Sequence, residues 1–192
     1  MILTNIPVYD GAILKNRFAY SVFRKDVLSI GNIIAFIAPA DVSDHLVDLE
    51  DALEKDYIKS VKMVNFCWEL PGVDAFGAVA FQRLFNTLIS NILSDIIKKP
   101  IKMRGDDLIV HGEHIQGGIT QLSGKASVSI TCQRNGAAVG HTGINIVAGK
   151  EAPAFAYSTN MSDVQANEFM LKVIDTFYDL VNDIFVATTK TI

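Results

Sequence analysis

The chain has little with which to build a site on sulfur. Its 192 residues include two cysteines, Cys67 and Cys132, both in apolar, strand-like stretches and without CxxC spacing. That usage argues against a zinc cage or a disulfide framework and reads both as buried thiols. No apolar run reaches the ~18 residues of a bilayer-spanning helix; the greasiest, Ile33 to Ala40, is interrupted by Pro39. Positive charge is scarce as well: 17 Lys and Arg stand against 21 Asp and Glu, for a net charge of -4. The cations are dispersed, which excludes an electrostatic footprint for nucleic acid. Met1-Ile2-Leu3-Thr4-Asn5 has no cationic segment leading into an apolar core and a cleavage site, so the expected location is the cytoplasm. No repeat, low-complexity tract or linker divides the chain, and one domain over 1–192 is expected.

Apolar material, in contrast, is abundant. At 49% hydrophobic residues and a mean hydropathy of +0.28, the chain has enough for a closed core, and the excess is assigned to that core or to a subunit interface, the second of which gives a homodimer. Gly11 to Arg24 and Ile30 to Ile37, the latter closed by Pro39, read as strands. The acidic segment 41–56, with Asp41, Asp44, Asp48, Glu50, Asp51, Glu54 and Asp56, reads as an exposed loop or short helix. A strand over Val61 to Leu70 precedes a long helix whose apolar stripe is Phe76, Val79, Ala80, Leu84, Leu88, Ile92 and Ile96, stopped by Pro100. From Ile101 to Val147 the period shortens towards two, giving short antiparallel strands near 101–104, 107–111, 114–122, 126–132 and 138–147. A second helix opens at Ser162, with Gln165 three residues on, and carries Val164, Phe169, Val173, Phe177, Val181 and Ile184 on one face. The expected class is α+β, a largely antiparallel sheet with two long helices packed on one face.

Chemistry concentrates in the strand region. Glycines there bring backbone close to whatever binds, although tight hairpins alone would explain them. Asp106 and Asp107 are adjacent, so in a strand they point to opposite faces and at most one addresses a given pocket; each can equally be a turn former. Arg104 has the planar fork suited to a carboxylate or phosphate, or to pairing with either aspartate. His141, between Gly140 and Gly143, is the best-placed histidine, while His45, His111 and His114 read as loop or turn residues. Gly124-Lys125 is not a phosphate loop: Gly118 lies one residue too far upstream and Ala126 follows the lysine.

These residues carry a resemblance. Arg104-Gly-Asp-Asp-Leu108, Gly124-Lys-Ala-Ser-Val-Ser-Ile130 and His141-Thr-Gly-Ile-Asn-Ile146 resemble the core of an uncharacterised prokaryotic family, the domain of unknown function three-six-six. The likeness extends upstream through Tyr9-Asp10-Gly11, Asp48-Leu-Glu-Asp51, Met63-Val-Asn-Phe66 with Glu69, and Gln82-Arg-Leu84. More distantly the chain resembles the catalytic domains of the biotin and lipoate protein ligases. That implies a ligase-like fold whose ligand is an amphipathic carboxylic acid, such as a lipoyl, biotinyl or fatty acyl group. It also implies Lys125 as the catalytic cation that holds the acyl carboxylate, Asp107 or Asp106 as the acid that helps place the nucleotide, and His141 with Gly143 as the lining of the acyl pocket. Arg104, Ser127 and Asn145 join them as candidate substrate-binding residues, and the cofactor is left open, with ATP and magnesium as its candidates.

The departures are specific. Where those ligases carry an arginine- and glycine-rich loop, this chain has the acidic Asp48-Leu-Glu-Asp-Ala-Leu-Glu54, which would repel a triphosphate unless magnesium intervened. No cysteine follows Cys132, and 112–122 reads as an extra hairpin. The alternative is therefore a noncatalytic small-molecule binding or dimerisation module that has lost the nucleotide loop. A third reading, a metal-dependent phosphoester enzyme on Asp48, Glu50 and Asp51, competes with a plain solvated acidic face. Lys125 carries a condition: if it faces a cleft without a tight acidic partner, its ammonium is there for a ligand anion.

Overall fold

The computed structural model describes residues 1–55 and 57–190; Asp56, the last member of the acidic segment, lies outside the described residues. Four strands form one antiparallel sheet in the order β1-β2-β7-β6: β1 Asn32–Val42, β2 Ile58–Pro71, β6 Ser127–Arg134 and β7 Ala137–Val147. A second, three-stranded antiparallel sheet contains β3 Ile101–Arg104, β4 Asp107–Gln116 and β5 Ile119–Lys125. Ala126 joins the two sheets. Its N–H donates to the Leu108 carbonyl on β4 and its own carbonyl accepts from Asn145 on β7, both at 2.9 Å.

Two long helices, α3 Ala75–Ile97 and α4 Asp163–Thr188, cover one face of the four-stranded sheet. The core beneath them contains Phe66, Trp68, Phe85, Phe169 and Phe177, all fully buried, with rings meeting edge to face. A second core on the other face packs Tyr9, Leu14, Phe18 and Phe23 of the N-terminal segment onto Ile34, Phe36, Met63 and Cys67. The α+β class and the helix pair on one face are as expected. No described helix is long and apolar enough to cross a membrane.

Several expectations are corrected. Gly11 to Arg24 is helical, with a 3-10 turn at Ala12–Leu14 and α1 at Ala19–Phe23. Its cause is remote: the buried Glu69 carboxylate on β2 accepts from the Phe18 and Ala19 N–H groups and pairs with Arg17 at 2.7 Å. Pro39 does not close β1. It lies where the β1–β2 register slips, and its carbonyl accepts from the Tyr9 N–H; a bulge tolerates the missing donor. The strand expected to stop at 111 continues as β4 to Gln116, with Gly112 in an irregularity between His111 and His114, and the reversal comes at Gly117-Gly118.

The largest error is the phase of α3. Its buried face is Ala78, Phe81, Phe85, Ile89 and Leu93 together with Gln82, Asn86 and Ser90, while Phe76 is 85% exposed and Val79 and Leu84 are exposed too. The inner face includes polar side chains, so an apolar periodicity placed the N-terminal half of the stripe on the wrong side, while its last members, Ile92 and Ile96, are partly buried against the core. On α4 the Ser162–Gln165 capping box and the buried Phe169, Val173, Phe177 and Val181 agree with expectation, whereas Val164 and Ile184 at the ends are exposed. The acidic segment gives α2, Leu49–Glu54, capped by Asp48, whose carboxylate accepts from the Glu50 and Asp51 N–H groups.

A candidate ligand cleft across two sheets

On the face of β7 away from the long helices lies a cleft of about 470 Å³. Its walls come from the N-terminal segment, the loop and short helix before β2, the β3–β4 turn, the β5–β6 junction, β7 and the loop around Phe155. Its apolar lining includes Leu14, Val42, Val128 and Ile130, the last opposite His141 in the β6–β7 ladder. Lys125, Asp106 and Asp107 line it around the β5–β6 junction and the β3–β4 turn.

Lys125 lies at the end of β5, in the step between the sheets, which turns its side chain along the cleft rather than into a hairpin's solvent face. Its ammonium is 2.8 Å from Asp107, and both side chains are about one-third exposed (31% and 30%). The condition is thus half met: the lysine faces a cleft but has an acidic partner. A pair this exposed is worth at most about 1 kcal/mol and opens readily. Both aspartates line the cleft, contrary to the alternation expected of a strand. Asp106 is the second residue of the β3–β4 turn, after Gly105 at φ +64°, where strand alternation does not hold. Nor does either pair with Arg104. Asp106 pairs with Arg83 of α3 at 3.3 Å and accepts from Gln82, while Arg104 is exposed at the end of β3, outside the cleft lining.

Ser127 lines the cleft, yet its hydroxyl is engaged in accepting from the Leu108 N–H at 2.9 Å. His141 is 1% exposed, with the Tyr9 ring stacked on it at 3.8 Å between centroids. Its Nε2 is 3.0 Å from Asn65 Oδ1. The Asn65 amide nitrogen donates to the carbonyls of Ala38 and Met63, so Oδ1 is the acceptor and Nε2 carries the hydrogen. Burial drives the imidazole pKa down to about 3, so the ring is neutral and Nδ1 is a bare acceptor. Gly143, two residues on and on the same face, leaves room for this packing: a Cβ there would come 2.2 Å from Met63 Sδ and 3.0 Å from His141 Cε1. Asn145 follows on that face, 5% exposed.

Three buried polar atoms of the lining have no hydrogen-bond partner among the described residues: His141 Nδ1, Asn145 Oδ1 and His45 Nδ1. Buried polar groups are normally satisfied, so three around one cleft are unusual. The structure therefore gathers Lys125, Asp106, Asp107, Ser127, His141 and Asn145 around one space, places Gly143 behind it and leaves Arg104 outside. Sequence reasoning missed His45, which read as a loop residue, and gave Tyr9 no role although Tyr9-Asp10-Gly11 belonged to the resemblance.

The family follows from the whole length of the chain, since the sequence model of the Domain of unknown function (DUF366) matches residues 1–192. The chain belongs to the DUF366 family. None of the curated proteins matches it in sequence. Among solved structures, a DUF366-like architecture recurs in a protein of unknown function from Pyrococcus horikoshi, at 22% identity and TM-score 0.83, covering 100% of this chain and 96% of that one. The biotin protein ligase from Aquifex aeolicus in complex with biotin and ATP is similar at 15% identity and TM-score 0.54, over 95% of this chain and 69% of that one. A bi-partite lipoate protein ligase from Thermoplasma acidophilum is similar at 12% identity and TM-score 0.53, over 90% and 80%. At these identities the likeness establishes a biotin/lipoate protein ligase-like fold for this DUF366 chain.

The residues present do not fit a triphosphate that lacks magnesium, because the lining leaves it no uncommitted cation among the described residues. The cleft presents Asp48, Asp51, Asp106 and Asp107 against Lys59 and Lys125, each of which already faces an aspartate, Asp41 and Asp107 respectively. Among the described residues no three His, Cys, Asp or Glu side chains gather to hold a metal ion. Asp48, moreover, is engaged in capping α2.

Proposed function

We propose that this DUF366 protein binds a small amphipathic carboxylic acid, of the lipoyl, biotinyl or fatty acyl kind, in the cleft between its two sheets. One observation carries the reading: a single cleft is lined both by apolar side chains beside the Tyr9–His141 stack and by the partly exposed Lys125 ammonium. A ligand carboxylate would take the place of Asp107 on the ammonium, exchanging one charge-assisted contact for another while the chain of the acid leaves water. The solved relatives support it by their named ligands, biotin in one and lipoic acid in another. Asp106, Asp107, Ser127, His141, Gly143 and Asn145 then shape the site, and Arg104 has no part in it.

The acidic lining favours binding over nucleotide-dependent activation, which makes a noncatalytic binding module the specific form of the proposal. Titration calorimetry with lipoate, biotin and octanoate tests it. At least one should bind, and Lys125→Met should weaken that acid about tenfold or more, the worth of a hydrogen bond to a charged group. ATP with magnesium should leave the melting temperature unchanged. No acid binding at millimolar concentration, or equal affinity in Lys125→Met, would overturn the acid reading.

A further inference from the structure

The face that β7 turns to the cleft keeps two buried polar atoms without a partner among the described residues, and both are acceptors. His141 Nδ1 is an acceptor because Asn65 holds the hydrogen on Nε2. Asn145 Oδ1 is an acceptor by its chemistry, and it too lacks a partner among the described residues. Both residues lie on the same face of β7, both line the cleft, and both are at least nine-tenths buried. Four residue steps of strand separate them, about 13 Å between their Cα atoms, so an acid held at Lys125 reaches His141 only in an extended form. Asn145 lies at the Lys125 end, since its N–H donates to the Ala126 carbonyl. His141 is therefore at the far end, where a bound acid puts its tail.

Resting on the acid reading above, we infer that the ligand carries a hydrogen-bond donor, an N–H or O–H, on its tail, and that His141 Nδ1 accepts from it. The chemical class is an acid with a donor-bearing head group, such as a cyclic urea, an amide or a terminal hydroxyl. A saturated hydrocarbon tail or a cyclic disulfide offers no donor and leaves His141 Nδ1 unsatisfied, a cost normally avoided in a buried site. Tyr9, stacked flat on the imidazole, fixes the ring so that the acceptor is held in one direction. The Asn65 bond prevents the tautomer exchange that would let His141 donate instead.

Four probes separate this inference from the reading it rests on: octanoate, 8-hydroxyoctanoate and the methyl ester of each, titrated calorimetrically into the full chain. The hydroxy acid should bind at least about tenfold more tightly than octanoate, and the hydroxy ester should exceed the plain ester by a similar factor, because in each pair only the hydroxyl supplies a donor to the buried acceptor. In His141→Phe, which keeps an aromatic ring against Tyr9, both ratios should fall to about one. A readout that needs no variant is the imidazole nitrogen spectrum of protein labelled at histidine. His141 Nδ1 should show an unprotonated signal in the free protein and move towards the hydrogen-bonded range with the hydroxy acid, but not with octanoate. Equal binding within both pairs overturns the donor inference and leaves the acid reading intact. A hydroxy-ester preference with no binding of either acid overturns the acid reading and leaves the donor inference standing. Failure of all four to bind overturns both.

Discussion

The two faces of β7 differ in how they treat polar side chains. Towards the long helices, Thr142 donates to Asn86, Asn86 donates to Ser129 and the Asp106 carbonyl, and Gln82 donates to Ser129 and Asp106, so the polar side chain that β7 presents there belongs to a connected network, while Trp68 Nε1 of the neighbouring β2 is buried without a partner among the described residues. Towards the cleft, His141 and Asn145 each keep a buried acceptor without a partner. Same strand, same burial, opposite bookkeeping. A network closed on itself stabilises and specifies packing, whereas unpaired acceptors weaken the fold and are tolerated where another molecule completes them.

Glycine gives the sharpest way to break this comparison. A Cβ at Gly140, on the helix face, would come 2.1 Å from Cζ2 of the fully buried Trp68, whereas one at Gly143, on the cleft face, meets the flexible end of Met63. Gly140→Ala should therefore cost about 3 kcal/mol, the upper range for overpacking, and Gly143→Ala clearly less. Chemical denaturation of both variants measures it, and equal losses would show that the two faces are equally rigid. Next in size, Asn86→Ala leaves the Thr142 hydroxyl only Ser129 and removes the donor to Ser129 and to the Asp106 carbonyl, for an expected loss of about 2 kcal/mol without any change in acid affinity. A variant that bound the acid differently would mean that the network tunes the cleft through Asp106.

Much of this was legible in sequence, and the rest was hidden for identifiable reasons. The α+β class, β2, β3, β7 and the cap of α4 followed from periodicity and from Ser162–Gln165, because local pattern decides them. The N-terminal half of the α3 stripe failed because Gln82 and Asn86 face inward, satisfied by residues on β6, β7 and the β3–β4 turn. The N-terminal helix failed because Glu69, some fifty residues away, caps it. At the site, Lys125 and His141 were found through the resemblance, but the partners that define them were not. Asp107 beside the lysine, Asn65 fixing the tautomer and Tyr9 on the ring are set by strand register and by the return of the N-terminal segment, which no spacing reveals.

The smallest predicted effect concerns pH and isolates His141. Its folded pKa is lowered to about 3 by burial, against 6.5 for the exposed imidazole. A depressed value means that protons bind the unfolded chain first, so the stability is complete above about pH 6.5 and is lost as pH falls through the window down to about 3, at about 1.4 kcal/mol per pH unit. Stepping from pH 6 to pH 5 should therefore lower the unfolding free energy by about that amount through this one group. Other groups titrate across the same step, so the informative quantity is the difference between the native protein and His141→Phe, which lacks the titration. Urea unfolding at the two pH values gives it directly. A native loss exceeding the variant's by about 1.4 kcal/mol is the signature of a neutral, buried imidazole. Parallel losses would mean that the ring opens to water and protonates in the folded state, and the cleft face would then hold an ordinary surface histidine rather than a fixed acceptor.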